Sequence, residues 1–362
     1  MPKILVLYDK WMREKAEEMW KSAFESALPK RTQEYNLIYK ENIAGPYKWS
    51  TEIINNVKEA SGDPEEIKRA IKGCTAAVSG YAPFTGEVMD SSDELKVIGI
   101  SRGGPVNVDK DAATERGIIV LRAVGRNAES VADQTIGFIL SELRYVSRHN
   151  KEIKTGEYFE KINEMSRSGY LGSFNWMEAN GKTLGLIGYG QVGSRVAKRA
   201  QAFDMKVIVF DPYIEESVLV ADCCDPVDLD YLLGESDFVS IHAALSKETY
   251  HMIDASALSK MKKSAVLINT ARGSIIDEEA LFIALKEGVI ASAALDVFED
   301  DPLKPDNPLI HLDNITLTPH TAGRSPETEM RGYNQIAQQV ARFLKGETIQ
   351  KMHVYNKEVL KE

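Results

Sequence analysis

The residues Gly188-Tyr189-Gly190-Gln191-Val192-Gly193 fit the pattern G-x-G-x-x-G. Alone, such a hexapeptide arises by chance. Here it follows an apolar run, TLGLI, and opens a helical pattern, QVGSRVAKRAQAF. A second apolar run, KVIVF, then ends directly at Asp211, 18 positions beyond the last glycine. Strand, glycine turn, helix, strand and acid in that order hold a dinucleotide. Gly188 allows the tight turn, Gly190 lets the backbone approach the pyrophosphate, and Gly193 lets helix and sheet pack closely. With Gln191 and Val192 they form a turn that presents N–H groups and the partial positive charge of a helix end to phosphates. Asp211 accepts hydrogen bonds from ribose hydroxyls and repels a 2′-phosphate, which favours NAD over NADP.

Three later segments carry further chemistry: Asn269-Thr270-Ala271-Arg272-Gly273, the run from Ala294 through Asp296 to Asp301-Pro302, and Thr318-Pro319-His320-Thr321-Ala322-Gly323. Each lies at or just after the C-terminal end of an expected strand, the edge where ligands bind in open α/β sheets. A guanidinium, a set of carboxylates and an imidazole from successive units can therefore converge on one nicotinamide ring. No spacing of His, Cys or acids reads as a metal site, and the three cysteines, Cys74, Cys223 and Cys224, read as free thiols of a reducing cytosol.

The elements that must position these groups alternate along the chain, which predicts an α/β protein built on parallel sheets with helices on both faces. The first series has expected strands at Lys3–Tyr8, Tyr35–Tyr39, Thr75–Ser79, Lys96–Ser101 and Ile118–Leu121. Asp63-Pro64-Glu65-Glu66 reads as a capped helix start, and Asp109–Arg116 as a helix stopped by Gly117. One long helix is expected over about Ala128–Lys154, bridging two domains, followed by a polar surface excursion over Thr155–Gly181. The second series has six expected strands: Thr183–Ile187, Lys206–Phe210, Phe238–Ile241, Ala265–Asn269, Ser292–Asp296 and Ile315–Thr318. They match a doubly wound dinucleotide fold. A last helix, Glu327–Leu344, is expected to return to the first domain.

Composition narrows the function classes. With 362 residues, 43% hydrophobic and 27% charged, the chain has the make-up of a globular protein of two domains. Its net charge of −10 argues against nucleic-acid and anionic-membrane binding. No apolar run reaches the roughly 20 residues that span a bilayer, and the N-terminal run MPKILVLYDKW is too short for a secretory signal. The cytoplasm is the expected location.

The segments NTARGSIIDEEAL, AALDVFEDDP and NITLTPHTAG resemble the signatures of the D-isomer-specific 2-hydroxyacid dehydrogenases. The similarity extends to GKTLGLIGYGQVG, VSIHAALSKETYHMI and RNAESVADQTIGFIL, and spans about residues 75–345. The resemblance implies two doubly wound domains: a flavodoxin-like substrate domain from residues 1–125 and 322–362, and a Rossmann NAD-binding domain, 126–321, inserted into it. It also implies a homodimer and a hydride transfer between NAD and a small 2-hydroxy or 2-oxo acid, of D stereochemistry. Asp296 resembles the family's aspartate near the nicotinamide carboxamide. His242 and Thr270 fall in segments that resemble its cofactor pocket, His242 as a wall of that pocket.

The catalytic roles follow from residue type. A 2-oxo acid carries a carboxylate beside a ketone, and the planar, permanently charged fork of Arg272 suits both. His320 suits the delivery of a proton to the forming alkoxide, with a carboxylate on its other ring nitrogen to orient it. Here the sequence departs from the family, which usually places glutamate before the proline; Asp301 is one methylene shorter, so its carboxylate falls short unless the backbone shifts. Asp301 is still the expected partner, with Glu299 and Asp300 as solvated acids. The loop Ser101-Arg102-Gly103-Gly104-Pro105-Val106-Asn107 stands where the family it resembles supplies backbone N–H groups to the substrate carboxylate, a task that Gly103 and Gly104 suit by permitting close approach. Arg102 either reads a second anionic or hydroxylated group or bridges to a nearby acid. Tyr81-Ala82-Pro83-Phe84 is expected to form an apolar wall.

Two other readings compete. Within the family, formate dehydrogenases carry glutamine in place of the acid partner, unlike EDDP here, while a phosphoglycerate dehydrogenase stays open as a short form without the additional C-terminal domain that many of them carry, for which this chain has no room. A non-catalytic NAD(H)-sensing protein, like the corepressors that share the fold, is an alternative of a different class, against which the intact Arg272 and His320 weigh.

Overall fold

The computed structural model describes residues 1–10, 14–28, 34–43, 45, 53–172 and 174–360. The chain forms two compact units, Met1–Arg126 with Ser325–Glu362, and Asn127–Arg324. The division therefore falls one residue after, and at its second point three residues after, the boundaries read from the sequence.

The first unit holds five parallel strands, β1 (Lys3–Tyr8), β2 (Asn36–Glu41), β3 (Ala76–Ser79), β4 (Val97–Ile100) and β5 (Ile119–Arg122), in the order β2-β1-β3-β4-β5. That is the flavodoxin-like order. Strands β3 and β4 are buried along their whole length, as expected of parallel strands covered on both faces. On one face lie helices Ala16–Ala27 and Pro326–Leu344, which bring Trp20, Phe24, Tyr333, Ile336 and Val340 onto the sheet. The rings of Trp20 and Tyr333 stack at 4.3 Å. On the other face, helices Pro64–Ile71 and Lys110–Glu115 bury Ile67, Ile71 and Ala113. Asp63 and Asp109 cap these helices, accepting the N–H groups of Glu65 at 2.9 Å and Ala112 at 3.0 Å.

The second unit holds seven parallel strands, one more than expected: β6 (Thr183–Ile187), β7 (Lys206–Phe210), β8 (Asp225–Pro226), β9 (Phe238–Ile241), β10 (Val266–Asn269), β11 (Ser292–Leu295) and β12 (Ile315–Leu317). Their order is β12-β11-β10-β9-β6-β7-β8. The additional strand, β8, spans two residues and has no apolar run to announce it. Strand β6 pairs with β7 on one side and β9 on the other, so the strand order reverses beside it and opens a crevice at its C-terminal end.

Two expectations for residues 128–181 are corrected. The helix that begins at Ala128 stops at Arg144, and a second runs from Val146 to Thr155. Between them Tyr145 is left-handed, with φ 56°, which re-aims the chain so that Arg148 turns back onto buried Glu142, 2.6 Å away, with its guanidinium over the Tyr145 ring. Apolar periodicity continues across the break and so hides it. The polar excursion is in fact helical over Glu157–Gly172, with a non-helical Ser166 inside it. Its one buried anchor is Tyr170, whose hydroxyl donates to Glu152 at 2.5 Å; a single apolar contact in sixteen residues leaves no periodic signal.

Candidate active site

The glycine turn leaves β6 with Gly188 at φ 96°, a conformation costly for any side chain. A β-carbon on Gly193 would lie 2.2 Å from the Gly188 carbonyl oxygen, so this position is closed by the turn itself. Around Gly190, by contrast, a β-carbon would meet nothing within 4 Å. Two glycines thus serve packing, and the middle one keeps space clear where a phosphate approaches the backbone. Val192 leads into helix Gly193–Gln201, and Gln191 is tied to that helix by Arg195, which donates to its carbonyl at 2.7 Å. Arg195 and Arg199 both bind Glu129 at 2.6 Å and hold its carboxyl down to about 2, which fixes the helix against Ala128–Arg144. Asp211 ends β7 and accepts the N–H groups of Tyr189 at 2.7 Å and Tyr213 at 2.9 Å. The acid that would meet a ribose thus also shapes the glycine turn. The residues present fit a dinucleotide at this crevice.

Beyond β9, His242 is partly buried, with its Nε2 2.9 Å from the Ser240 hydroxyl. Burial pushes its pKa down to about 3, so it stays neutral and is unsuited to proton donation near pH 7. Thr270 follows β10 and meets Thr135, hydroxyl to hydroxyl, at 3.1 Å.

Arg272, Asp301 and His320 follow β10, β11 and β12, which are adjacent and parallel. Neighbouring strands lie about 4.8 Å apart, so the three segments that carry these residues leave one edge of the sheet over roughly 10 Å. Arg272 is exposed and donates to the Ala271 carbonyl at 2.6 Å; among the described residues no carboxylate forms an ion pair with it. Its backbone carbonyl accepts from the Asn269 side chain at 2.8 Å. The next residue, Gly273, lies against the Phe298 carbonyl carbon, where a β-carbon would come within 1.8 Å. This close approach locks the Arg272 turn to the loop that carries Asp301.

The Asp301 carboxylate meets His320 Nδ1 directly. The shorter side chain does reach its histidine. Asp296 is buried, and its oxygens accept from the Thr318 hydroxyl and from the N–H groups of Thr321 and Ala322. It thereby pins the turn in which His320 sits at φ 53°. The other two acids are engaged elsewhere: Asp300 with Lys304 at 2.6 Å, and Glu299 with His251. Residues that sequence reasoning missed hold this loop. Glu278 accepts the Glu299 N–H at 2.6 Å and the Asn307 side chain at 3.1 Å, and burial raises its pKa. In the sequence Glu278 is an ordinary acid in a first helical turn, and nothing in its spacing marks it.

In the first unit, a β-carbon on Gly104 in the loop after β4 would meet nothing within 4 Å, and one on Gly103 would come no closer than 3.7 Å, to the Ala123 carbonyl oxygen. Of the two readings of Arg102, the bridge to an acid is present: its guanidinium pairs with Glu59 and lies 4.9 Å over the Tyr81 ring. The expected apolar wall narrows, since Ala82 and Phe84 are fully buried in the core and only Tyr81 remains at the surface of the loop. Among the described residues no cluster of His, Cys, Asp or Glu could hold a metal ion, and no helix is long and apolar enough to cross a membrane.

Fold and site together define a dinucleotide-dependent oxidoreductase. The family model for the D-isomer specific 2-hydroxyacid dehydrogenase NAD-binding domain matches residues 136–322. A glyoxylate reductase of Thermofilum pendens is 41% identical over 311 residues, 85% of this chain and 89% of the relative. A D-3-phosphoglycerate dehydrogenase of Methanocaldococcus jannaschii is 39% identical over 299 residues, 82% of this chain; the match covers 55% of that relative, about half its length. The crystal structure of a glyoxylate reductase from Paecilomyes thermophila superimposes with a TM-score of 0.71 at 28% identity, covering 96% of this chain and 98% of the other. The chain belongs to the D-isomer specific 2-hydroxyacid dehydrogenases. Its cofactor is NAD and its reaction class is hydride transfer to and from small 2-hydroxy and 2-oxo acids. The corepressor-like alternative finds no support among these relatives.

Proposed function

We propose that the chain reduces a small 2-oxo acid, of the glyoxylate and hydroxypyruvate kind named for its relatives, with Arg272, His320 and Asp301 as the reacting set. The observation that carries this reading is the delivery of these three side chains by three adjacent strand ends of one parallel sheet. Gly188, Gly190, Gln191, Val192, Gly193 and Asp211 would hold the dinucleotide, with His242, Thr270 and Asp296 on the nicotinamide side. The dinucleotide, when bound, supplies the hydride.

The protein's own groups do the rest. Arg272 binds the substrate carboxylate with its planar fork and withdraws charge from the adjacent ketone. His320 holds a proton at Nε2 and gives it to the carbonyl oxygen as that oxygen becomes an alkoxide; Asp301 at Nδ1 fixes the tautomer and steadies the imidazolium. In the oxidative direction the same nitrogen takes the proton back. Gly103 and Gly104 let backbone N–H groups approach the substrate carboxylate, and Arg102 stands beside them. The division of labour between residues 1–126 with 325–362 and 127–324 follows as substrate-side and cofactor-side domains.

We further infer a homodimer in the cytoplasm. Val146 and Ile153 on the helix Val146–Thr155, Phe159 and Met165 on the helix Glu157–Gly172, and Trp176 beyond them are exposed, more apolar surface than a free segment of this size normally leaves to water. The three unpaired thiols suit a reducing compartment. The decisive experiment is NADH oxidation at neutral pH with glyoxylate, hydroxypyruvate and phosphohydroxypyruvate. Turnover of at least one, lost in Arg272→Leu and in His320→Ala, is expected. Tight NADH binding with no turnover of any would overturn the reading.

A further inference from the structure

His251 and Glu299, both in the second unit and outside the reacting set, meet through His251 Nε2. A carboxylate only accepts, so Nε2 carries the proton, and the bond forms whether the imidazole is neutral or charged. The backbone N–H of His251 donates to the Ser274 carbonyl at 2.9 Å, two residues beyond Arg272. The pairing runs on, with Ile253 donating to the Ile275 carbonyl and Asp277 to the Ile253 carbonyl, each at 3.1 Å. The main chain of His251 is therefore fixed to the turn that presents Arg272, while its side chain binds Glu299, two residues before Asp301. One residue brackets both segments.

The bracket is built rather than loose. The ring of Tyr250 stacks on the imidazole at 4.0 Å, the two planes 14° apart. His251 is left-handed, with φ 49°, an uncommon conformation for histidine that surrounding contacts must enforce. The Asp301 loop already rests on two backbone contacts, Gly273 against the Phe298 carbonyl carbon and the Glu299 N–H on Glu278 at 2.6 Å. The Glu299 side chain on His251 adds a third, which fixes the orientation of the residue from which the chain runs on to Asp301. Such precision bears on rate. The carboxylate carbon and the ketone carbon of a 2-oxo acid are bonded to each other, so the group that holds one and the group that protonates the other need close alignment. A misplacement of about 1 Å costs on the order of 100-fold. An ion pair near the surface, by contrast, contributes little to stability.

We propose that His251 is a positioning residue for the hydride transfer: with Glu299 it latches the Asp301 loop to the Arg272 turn, and so aligns the proton donor His320 with a substrate held by Arg272. This rests on the 2-oxo acid reductase reading above and adds to it a residue outside the reacting set.

The test compares the wild-type protein with His251→Leu, His251→Gln, Glu299→Leu and the double leucine variant. Glutamine keeps an N–H donor in place of Nε2. In each leucine variant, kcat with the best of glyoxylate, hydroxypyruvate and phosphohydroxypyruvate is expected to fall about 10- to 100-fold. KM for the acid and Kd for NADH should change by less than about 3-fold, and Tm by less than about 3 °C. His251→Gln should recover most of kcat, and the double variant should be no slower than the slower single one, since both changes remove the same contact. An unchanged kcat, losses that multiply in the double variant, or a fall in kcat matched by a large fall in Tm that glutamine does not repair overturns the inference while the reductase reading stands. If the wild type turns over none of the acids, the reductase reading fails. The ring-nitrogen resonances of His320, assigned by their absence in His320→Gln, then decide the latch. Shifted in His251→Leu and restored in His251→Gln, they uphold it; unmoved in His251→Leu, they overturn it.

Discussion

Asp296, at the end of one strand, accepts the backbone N–H of Thr321, beyond the end of the next, at 2.9 Å. With Ala322 and the Thr318 hydroxyl also donating to it, this buried carboxylate holds the turn that carries His320. Asn in its place offers one acceptor oxygen and turns an N–H₂ toward N–H donors. Asp296→Asn is therefore expected to lower unfolding free energy by about 1–3 kcal/mol and to reduce kcat more than it weakens NADH binding. Chemical denaturation and NADH titration check this; a variant of wild-type stability and activity would remove Asp296 from the support of the His320 turn.

The contact between Asp301 and His320 makes its own prediction. Asp301→Asn keeps the shape but loses the charge that steadies the imidazolium, so kcat/KM should fall on the order of 100-fold, the scale of acid–base assistance. The shorter side chain already reaches its histidine, so Asp301→Glu adds a methylene to a fitted contact and should do worse than the wild type as well. Steady-state kinetics with the best 2-oxo acid decide it, and a pH–rate profile unchanged in Asp301→Asn would take Asp301 out of the pair.

Much of this was legible in the sequence because the signals were local. The run TLGLI, the three glycines and Asp211 lie within thirty residues, and the structure places them on consecutive elements, β6, the helix Gly193–Gln201 and β7. Arg272 and His320 were legible because each ends an apolar run. What stayed hidden depends on contacts distant in sequence. The role of Gly273 appears only when its backbone meets Phe298, and Glu278 becomes a support only when the Glu299 N–H reaches it. The break at Tyr145 was invisible because no helix-stopping residue marks it and the apolar periodicity runs on across it, while the contact of Arg148 with buried Glu142 that goes with it is set only by the folded chain.

The glycine turn predicts opposite outcomes for two glycine-to-alanine changes. At Gly190 the added methyl enters open space, so stability should change by less than about 0.5 kcal/mol while NADH affinity drops, because the methyl occupies the approach of the pyrophosphate. At Gly193 the methyl meets the Gly188 carbonyl oxygen at 2.2 Å, so Gly193→Ala should cost about 1–3 kcal/mol or more of stability. Thermal unfolding without cofactor and fluorescence titration with NADH separate the two. Equal stability losses at both positions would show that the turn is not shaped as described.

His242 supplies a pH dependence whose sign follows from its burial. Its native pKa is pushed down to about 3, against about 6.5 in an unfolded chain. Above the unfolded value neither state binds a proton there, and the full stability is present. As pH falls below about 6.5 the unfolded state takes up a proton that the native state refuses, so stability is lost progressively down to about pH 3. One pH unit below the unfolded pKa, the loss from this group is about 1 kcal/mol, allowing for its partial contact with water. Urea unfolding at pH 7.5 and pH 5.5 should therefore show a drop that is smaller by about that amount in His242→Gln than in the wild type, since glutamine does not titrate and the other histidines are common to both. An equal drop in the two proteins would mean that His242 charges freely in the folded state, and the neutral wall assigned to the nicotinamide side would have to be given up.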